Sequence, residues 1–186
     1  RESQFDITTE VGKVGENTII TVNVPSDAKG NVTIEVDGVK YNAEVENGVA
    51  KFEIGNLTEG TKTIAVEYTG DDNYLANHTT TQITISKRNS FVKAEITDIN
   101  VGEMVNITVH VPDGATGQVL IDIDGVGYYV NVTDGVGTTQ IPRMPNGIYV
   151  VNLTYIGDDK FLESNNFTQF NVNKLPSYVI PTANNI

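Results

Sequence analysis

Carboxylates are the side chains of this sequence whose types and spacing could do chemistry, because several of them cluster in short turns. Asp158 and Asp159 follow one glycine, Asp134 precedes another, and Asp37 and Glu59 lie in earlier turns. Converging carboxylate and carbonyl oxygens are what Ca²⁺ requires, usually about six to eight at once. These five residues are therefore candidate calcium ligands. The alternative is that turn aspartates accept hydrogen bonds from the backbone amides that follow them.

Seven Asn-x-Ser/Thr sequons offer a second kind of chemistry, N-linked glycosylation. Chance composition supplies roughly three such sites, so the excess is about twofold. Threonine-rich strands produce the same pattern with no glycan attached, and both interpretations stay open. The glycosylation candidates are Asn31, Asn56, Asn77, Asn106, Asn131, Asn152 and Asn166.

Catalytic chemistry has almost no support in the sequence. The chain has no Cys, which removes thiolate nucleophiles, disulfides and Cys-ligated zinc together. Its two histidines, His78 and His110, are too scattered to complete a Ser-His-Asp set, and no glycine-rich loop leads into a helix. We predict that the protein is not an enzyme and has no cofactor, with calcium at the carboxylates above as the exception to test.

The elements that must position these residues come from an internal repeat. A constant shift of 87 residues aligns the two halves without a gap, and about 31 of 87 paired positions are identical. We call residues 1–87 repeat 1 and residues 88–176 repeat 2, and we expect residues 177–186 to begin a third repeat or a linker. The shift pairs one motif of each repeat: Tyr68, Gly70 and Asp71 with Tyr155, Gly157 and Asp158.

Within each repeat, apolar residues recur at every second position, which is the pattern of strands. Asp37-Gly38 is a two-residue hairpin signal, because that turn needs positive φ at both central residues. We predict an all-β fold of two tandem immunoglobulin-like Greek-key β-sandwich modules stacked end to end. In this arrangement the candidate calcium ligands meet at the junction of the modules. The predicted strands of repeat 1 are 5–9, 18–24, 31–36, 39–45, 49–54, 61–69 and 79–86, and those of repeat 2 follow by adding 87.

Charge and connection length narrow the class of partner. The net charge of -12 disfavours nucleic acid and anionic lipid, which are themselves dense in negative charge. No apolar run approaches the ~20 residues of a membrane span, so we expect no membrane insertion in this chain. The same charge works against pairing of exposed sheet edges between chains, and we expect a monomer. The connection 87–90 is too short to let the modules tumble freely, which predicts a semi-rigid rod.

The paired segments Tyr68-Thr69-Gly70-Asp71-Asp72-Asn73-Tyr74 and Tyr155-Ile156-Gly157-Asp158-Asp159-Lys160-Phe161 carry a resemblance. With its repeats, the chain resembles the tandem bacterial Ig-like repeats, of the group 3 type, of large adhesin-like cell-surface proteins, most of all those of methanogenic archaea. The resemblance implies an extracellular, cell-surface location, further Ig-like repeats in the same chain, and a part in cell adhesion. It brings no catalytic residues with it.

Two functions remain open at this point. The first is a structural stalk that projects an adhesive domain away from the cell. The second is binding of a glycan or a partner-cell surface by the modules themselves. Repeat 2 carries extra aromatics in Tyr129, Tyr149, Phe167 and Phe170, a mild indication of binding by that repeat, although alternation predicts that half of them are core. Tyr129 in particular is expected to be exposed, where it could stack on a sugar.

A rarer chemistry is open to repeat 2 alone. Lys93, Glu95, Asn171 and Asn173 are the residue types of a self-formed Lys-Asn isopeptide crosslink, in which a carboxyl group shuttles protons. Paired strands contain these residue types routinely, which is the alternative interpretation.

Overall fold

The computed structural model describes residues 1–183, which form strands and connecting segments with no helix among them. The chain divides into two compact units, Arg1–Arg88 and a second unit that begins at Asn89. The predicted all-β, immunoglobulin-like fold class is confirmed. Residues 177–183 contain no strand, and residues 184–186 of the predicted third repeat lie outside the described residues.

Repeat 1 is a sandwich of two antiparallel sheets. One sheet has the order β1-β2-β5 and the other has the order β4-β3-β6-β7. The fourth strand pairs with the third across the hairpin Asp37-Gly38, so three strands face four. The strands are β1 (Asp6–Glu10), β2 (Thr18–Asn23), β3 (Asn31–Val36), β4 (Val39–Glu44), β5 (Val49–Ile54), β6 (Gly60–Tyr68) and β7 (Asn77–Ile85).

Repeat 2 repeats this plan with one change at its start. Its sheets have the orders β13-β10-β8 and β12-β11-β14-β15-β9. The strands are β8 (Lys93–Ile96), β9 (Ile99–Asn100), β10 (Val105–His110), β11 (Gly117–Ile123), β12 (Val126–Val132), β13 (Val136–Ile141), β14 (Gly147–Tyr155) and β15 (Ser164–Asn173).

The extra strand of repeat 2 corrects the prediction of seven strands in each repeat. Its opening strand ends at Ile96, as predicted, and Ile99–Asn100 then crosses over to pair in parallel with β15. Asp98 fixes the crossing, because its carboxylate accepts bonds from the backbone and side-chain amides of Asn171 at 2.8 and 2.9 Å. Repeat 1 has Val11 at the place of Asp98 and keeps one crossing bond, from Val14 N to the Ser86 carbonyl at 3.0 Å.

Hairpin turns are formed where the Asp-Gly and Asn-Gly pairs predict them. Asp37, Asn47, Asp124 and Asp134 have φ between 49° and 52°, and the glycine that follows each of them also has positive φ. A left-handed conformation at both central residues matches the twist of the flanking strands. The turn at Asn47 carries the chain from one sheet of repeat 1 to the other, through the paired residues Glu46 and Val49.

Each repeat has its own hydrophobic core between its two sheets. The inward residues of the alternating strands fill it: Ile20, Ile34 and Ile64 are fully buried in repeat 1. In repeat 2 the core also contains a stacked aromatic pair, Tyr149 and Phe170, with ring centroids 5.5 Å apart and an interplanar angle of 22°. Because burial of apolar surface is the main stabilising contribution available to a chain without disulfides, these two cores hold the fold.

Candidate functional site

The paired motif residues of repeat 1 form a hydrogen-bonded loop closure, which we call the Asp latch. The Asp71 carboxylate accepts bonds from the backbone amides of Asn73 and Tyr74 at 2.7 and 2.8 Å, within its own turn. Its other oxygen accepts the Lys29 amide at 2.7 Å, from the loop between β2 and β3. Tyr68 is fully buried and donates its hydroxyl to the Lys29 carbonyl at 2.6 Å. One aspartate and one tyrosine thus join two loops.

Repeat 2 builds the same latch from the equivalent residues. Asp158 accepts the amides of Lys160 and Phe161 at 2.7 Å each, and that of Thr116 at 2.8 Å. Tyr155 is fully buried and donates its hydroxyl to the Thr116 carbonyl at 2.8 Å. Lys29 takes part through backbone atoms alone, whereas Thr116 adds a longer bond from its side-chain hydroxyl to the Asp158 carboxylate at 3.3 Å.

The latch sets the acidity of its members. Hydrogen bonds from the amides of Lys29, Asn73 and Tyr74 lower the pKa of Asp71, because they stabilise its charged form. Burial acts to raise the pKa of Asp158, but the amide of Thr116 and those of its own turn outweigh it and lower the pKa.

The latch tyrosines shift the other way. Burial raises the pKa of Tyr68 to about 12, and the charge of Asp71 adds to the effect. Burial, with the charge of Asp158, also raises the pKa of Tyr155. At neutral pH each latch therefore pairs a charged aspartate with a neutral tyrosine.

The other candidate calcium ligands have partners within their own repeats. Asp37 lies 2.9 Å from the Lys62 ammonium, and Glu59 lies 3.7 Å from that of Lys87. Asp134 accepts the backbone amide of Gly114 at 3.1 Å.

Asp159 is exposed in the turn beside Asp158. Across residues 1–183, no group of three or more His, Cys, Asp or Glu side chains is placed to hold a metal ion. The calcium site stays a prediction, and Asp158, its central residue, already has both carboxylate oxygens bonded to amides.

The sequon asparagines differ in how free their side-chain nitrogen is. Asn77 donates its amide nitrogen to the Ser3 carbonyl at 2.7 Å, and Asn166 donates to the Val92 carbonyl at 2.8 Å. The remaining five are exposed and have no such bond from that nitrogen in the described part of the chain: Asn31, Asn56, Asn106, Asn131 and Asn152.

Residues of the other predicted chemistries are also placed. The Lys93 ammonium lies 5.8 Å from the centre of the Phe91 ring, and Asn171 is bonded to Asp98. His78 is exposed on β7. His110 Nε2 lies 3.3 Å from the Glu95 carboxylate without the alignment of a hydrogen bond.

The most unusual surface of repeat 2 is the solvent side of its larger sheet. Tyr129 and Phe167 are 63% and 72% exposed there, and Val150 and Ile148 are 47% and 69% exposed. Half-buried Leu120 lies directly beside Tyr129 in the strand pairing. We call these five side chains, with the polar residues between them, the outer face of repeat 2. A group of exposed apolar side chains of this kind is typical of an interaction site.

Polar side chains fill the rows between the two aromatic rings. One row across the strands reads Tyr129, Leu120, Thr154 and Asn165. Within that row the Thr154 hydroxyl donates to the Asn165 side-chain oxygen at 2.8 Å. The adjacent row reads Gly127, Asp122, Asn152 and Phe167. The outer face therefore mixes two rings with amides, a hydroxyl and one carboxylate.

The same side of repeat 1 forms a shallow groove of about 460 Å³ with no exposed Phe or Tyr ring among its lining residues. Its lining includes Thr33, Glu35, Lys40, Glu67 and His78. We call it the outer face of repeat 1. The positions of Tyr129, Leu120, Phe167, Val150 and Ile148 are occupied in repeat 1 by Asn42, Thr33, Thr80, Thr63 and Thr61.

The sequence pointed to part of this surface. Strand alternation predicts that half of the extra aromatics are core, and Tyr149 and Phe170 are indeed buried while Tyr129 and Phe167 are exposed. It did not single out Leu120, Val150 and Ile148. The available signal was the exchange of threonine for an aliphatic residue at three outward positions of the aligned repeats.

Comparisons with known proteins find one family model that matches within the first repeat. Residues 7–86 match the bacterial Ig-like domain (group 3). No curated protein sequence matches the chain. Within residues 1–183, no helix is long and apolar enough to cross a membrane.

Solved structures resemble the chain at low sequence identity. Fibronectin(III)-like modules of Clostridium thermocellum CbhA have a TM-score of 0.40 at 14% identity, with 97% of this chain and 100% of that chain covered. A bacterial ice-binding adhesin of 1.5 MDa has a TM-score of 0.37 at 15% identity, with 94% and 66% covered. Red sea bream transglutaminase has a TM-score of 0.39 at 12% identity, with 92% of this chain but 31% of the enzyme covered. The strand order of repeat 1 agrees with the match of residues 7–86 to the bacterial Ig-like domain (group 3), a match that spans less than half of the chain.

Proposed function

We propose that the chain is a non-catalytic, Ig-like repeat region of a cell-surface, adhesin-like protein and acts as a semi-rigid stalk that projects an adhesive domain. Ig-like and fibronectin-III-like domains are generally non-catalytic, which supports the first part. The internal repeat and the resemblance of the sequence to archaeal adhesin-like proteins support a repeat region at the cell surface. The acidic charge keeps such repeats soluble and apart.

The observation that carries the stalk is the way the connection is fastened to each repeat. On the side of repeat 1, the Arg88 guanidinium donates to the Val14 carbonyl at 3.0 Å and lies 3.7 Å from the Glu16 carboxylate. On the side of repeat 2, the Ser90 hydroxyl donates to the Leu162 carbonyl at 2.5 Å. Asn89 is the one residue between these fastened ends, so few backbone dihedrals remain to bend the connection.

Spin-label distances test the stalk. The chain has no Cys, so Lys51→Cys and Thr138→Cys place one label at equivalent exposed positions of each repeat. We expect a narrow distance distribution by double electron–electron resonance. The matched control carries six Gly/Ser residues inserted between Asn89 and Ser90, and its distribution should be broad. A wild-type distribution as broad as that of the control would overturn the stalk.

The surface location has a direct test. Antibodies against the two-repeat chain should label intact cells of the source organism, and protease added outside should remove the label. Labelling that needs permeabilised cells would contradict the extracellular, cell-surface proposal.

N-glycans are a further part of the proposal. We expect them at exposed sequons whose side-chain nitrogen is free, such as Asn31, Asn56 and Asn106, and not at Asn77 or Asn166, where a backbone carbonyl holds that nitrogen. Mass spectrometry of peptides from the native protein checks this pattern, and unmodified peptides at all seven sequons would exclude it.

A second candidate function is binding by the repeats themselves, of a glycan or of a partner-cell surface. One observation favours it, the exposed apolar side chains on the outer face of repeat 2. A stalk alone has no need of them, since the fold of repeat 1 is complete with threonine and asparagine at the same positions.

A further inference from the structure

We propose that the outer face of repeat 2 binds a neutral, hydroxyl-rich polysaccharide, with Tyr129 and Phe167 as the rings on which sugar units stack. The proposal rests on the second candidate function, binding by the repeats, and is independent of the stalk.

The distance between the two rings suits a chain of several sugar units. Tyr129 lies on β12, an edge strand of the sheet, and Phe167 lies on β15, three strands away in the order β12-β11-β14-β15. Adjacent strands are about 4.8 Å apart, so three spacings place the rings about 14 Å apart across the sheet. One row also separates them along the strands. An extended, repeating ligand can reach both rings, whereas a single small molecule cannot.

The polar groups between the rings fit sugar hydroxyls. Asn152 and Asn165 offer amides, Thr154 a hydroxyl and Asp122 a carboxylate, all on the strands that lie between or carry the rings. Side-chain amides both donate to and accept from hydroxyl groups, an ionised carboxylate accepts from them, and a few placed polar groups among apolar side chains are what orients a ligand. A purely hydrophobic partner would leave these groups unpaired, at a cost in binding free energy.

The charge of the face selects a neutral ligand over the alternatives. The rows that link the rings contain Asp122 and no Lys or Arg, so an anionic polysaccharide or an anionic lipid surface would find no counter-charge. A second copy of this chain would bring another net charge of -12. Repeat 1 differs on this point too, since its outer face carries Lys40, Glu35 and Glu67.

The proposal requires the two sequons on this face, Asn131 beside Tyr129 and Asn152, to be unmodified. Asn152 pairs with Phe167 in the middle of the outer face, so a glycan attached there would cover the site. We therefore expect Asn131 and Asn152 to be unmodified in the native protein, even if other exposed sequons carry glycans.

Affinity electrophoresis of the two-repeat chain tests the face. The probes are soluble neutral polysaccharides, namely β-glucan, galactomannan, xyloglucan and dextran, with polygalacturonate as the acidic comparison. The test variant is Tyr129→Asn with Phe167→Thr, which installs the side chains that repeat 1 has at these positions. The matched control is Phe91→Thr, which removes an exposed ring outside the face. Exposed substitutions of this kind leave stability nearly unchanged, and circular dichroism verifies the fold.

The expected result is retardation by at least one neutral polysaccharide, weakened tenfold or more in the double variant and unchanged in the control. Equal retardation of wild type and double variant would overturn the face and leave binding by the repeats standing. Retardation by none of the probes, neutral or acidic, would overturn both the face and binding by the repeats. Retardation by polygalacturonate alone, a dimer in light scattering that the double variant dissociates, or a glycan found on Asn131 or Asn152 would each overturn the proposed ligand.

Discussion

The outer faces of the two repeats lie on equivalent sheets, yet they present opposite chemistry to solvent. In repeat 1 the rows of side chains include the charged residues Lys40, Glu35 and Glu67 around a shallow groove, whereas in repeat 2 they include the exposed rings of Tyr129 and Phe167. The Asp latches of the two repeats, in contrast, share the same three bonds from backbone amides to the aspartate. The comparison separates what the fold requires, which both repeats have, from what one repeat has in addition.

The hydrophobic cores of the two repeats differ as well, and again the additional aromatic side chains belong to repeat 2. Repeat 2 has the stacked pair Tyr149 and Phe170 where repeat 1 has Lys62 and Ile83. In repeat 1 the Lys62 ammonium forms an ion pair with Asp37 and donates a hydrogen bond to the Thr58 hydroxyl. One end of repeat 2 is therefore closed by aromatic packing, and the same end of repeat 1 by an ion pair.

Truncation of the aromatic pair is the change with the largest expected effect on this comparison. Phe170→Ala should lower the free energy of unfolding of repeat 2 by about 3–5 kcal/mol, because Phe170 is 1% exposed and its loss leaves a cavity. Hydrogen exchange resolved by repeat, with urea unfolding, measures it. The matched change Ile83→Val should cost repeat 1 about 1 kcal/mol. If Phe170→Ala lowers the free energy of unfolding of repeat 2 by less than about 1 kcal/mol, the aromatic pair is not part of the core.

Removal of the latch should affect both repeats alike. Asp158→Ala should destabilise repeat 2 by about 2 kcal/mol, because backbone amides of two loops lose a charged acceptor. Asp71→Ala should lower the melting temperature of repeat 1 in the same way. Thermal unfolding of the single variants, with Asp159→Ala as the control from the same turn, checks the result. Destabilisation in one repeat and not the other would contradict the equivalence of the latches.

A transplant of the outer face should carry binding with it. Asn42→Tyr, Thr33→Leu and Thr80→Phe give repeat 1 the side chains of repeat 2. The three changes are made in the double variant Tyr129→Asn and Phe167→Thr, which has lost the original face. We expect them to tighten its binding about tenfold on the polysaccharide that retains wild type. Affinity electrophoresis measures it. If the transplanted repeat binds no better than the background, the flanking charges of repeat 1 are part of the difference.

Acid should weaken both latches together. The pKa of Asp71 and that of Asp158 are lowered in the fold, so their contribution to stability is complete above the unfolded value of about 4. It is lost as pH falls through the folded pKa values, because protonated Asp no longer accepts as a charged group. Melting temperatures between pH 7 and pH 2 should fall below about pH 4, and less steeply in the double Asp→Ala variant. If the melting temperature of that variant falls as steeply with pH as that of wild type, the latches are not the cause of the acid sensitivity.

Calcium should have the smallest effect. The Asp158 oxygens are bonded to amides, and Asp37 and Glu59 pair with lysines. We expect the same melting temperature in EDTA and in millimolar Ca²⁺. A rise with Ca²⁺ that Asp159→Ala abolishes would instead establish the predicted calcium site.

Local pattern accounts for most of the fold that could be predicted. The predicted bounds of the third and fifth strands of repeat 1, 31–36 and 49–54, are those of the structure, because period-two alternation and Asx-Gly turns are short-range signals. The additional strand Ile99–Asn100 of repeat 2 was missed. It depends on Asp98 meeting Asn171, residues 73 positions apart, which no local window reveals.

The candidate site divides along the same line. Sequence by itself determined the repeat, the strands, the turns and which of the extra aromatics alternate outward, since all of these follow from neighbours along the chain. Only the tertiary structure decided that Asp71 and Asp158 are bonded to a second loop, and that Tyr129, Leu120 and Phe167 share one face of a sheet. The physical reason is that strand order and register bring distant segments together through backbone hydrogen bonds. The alternation of side chains along one strand does not specify which strand it pairs with or in which register.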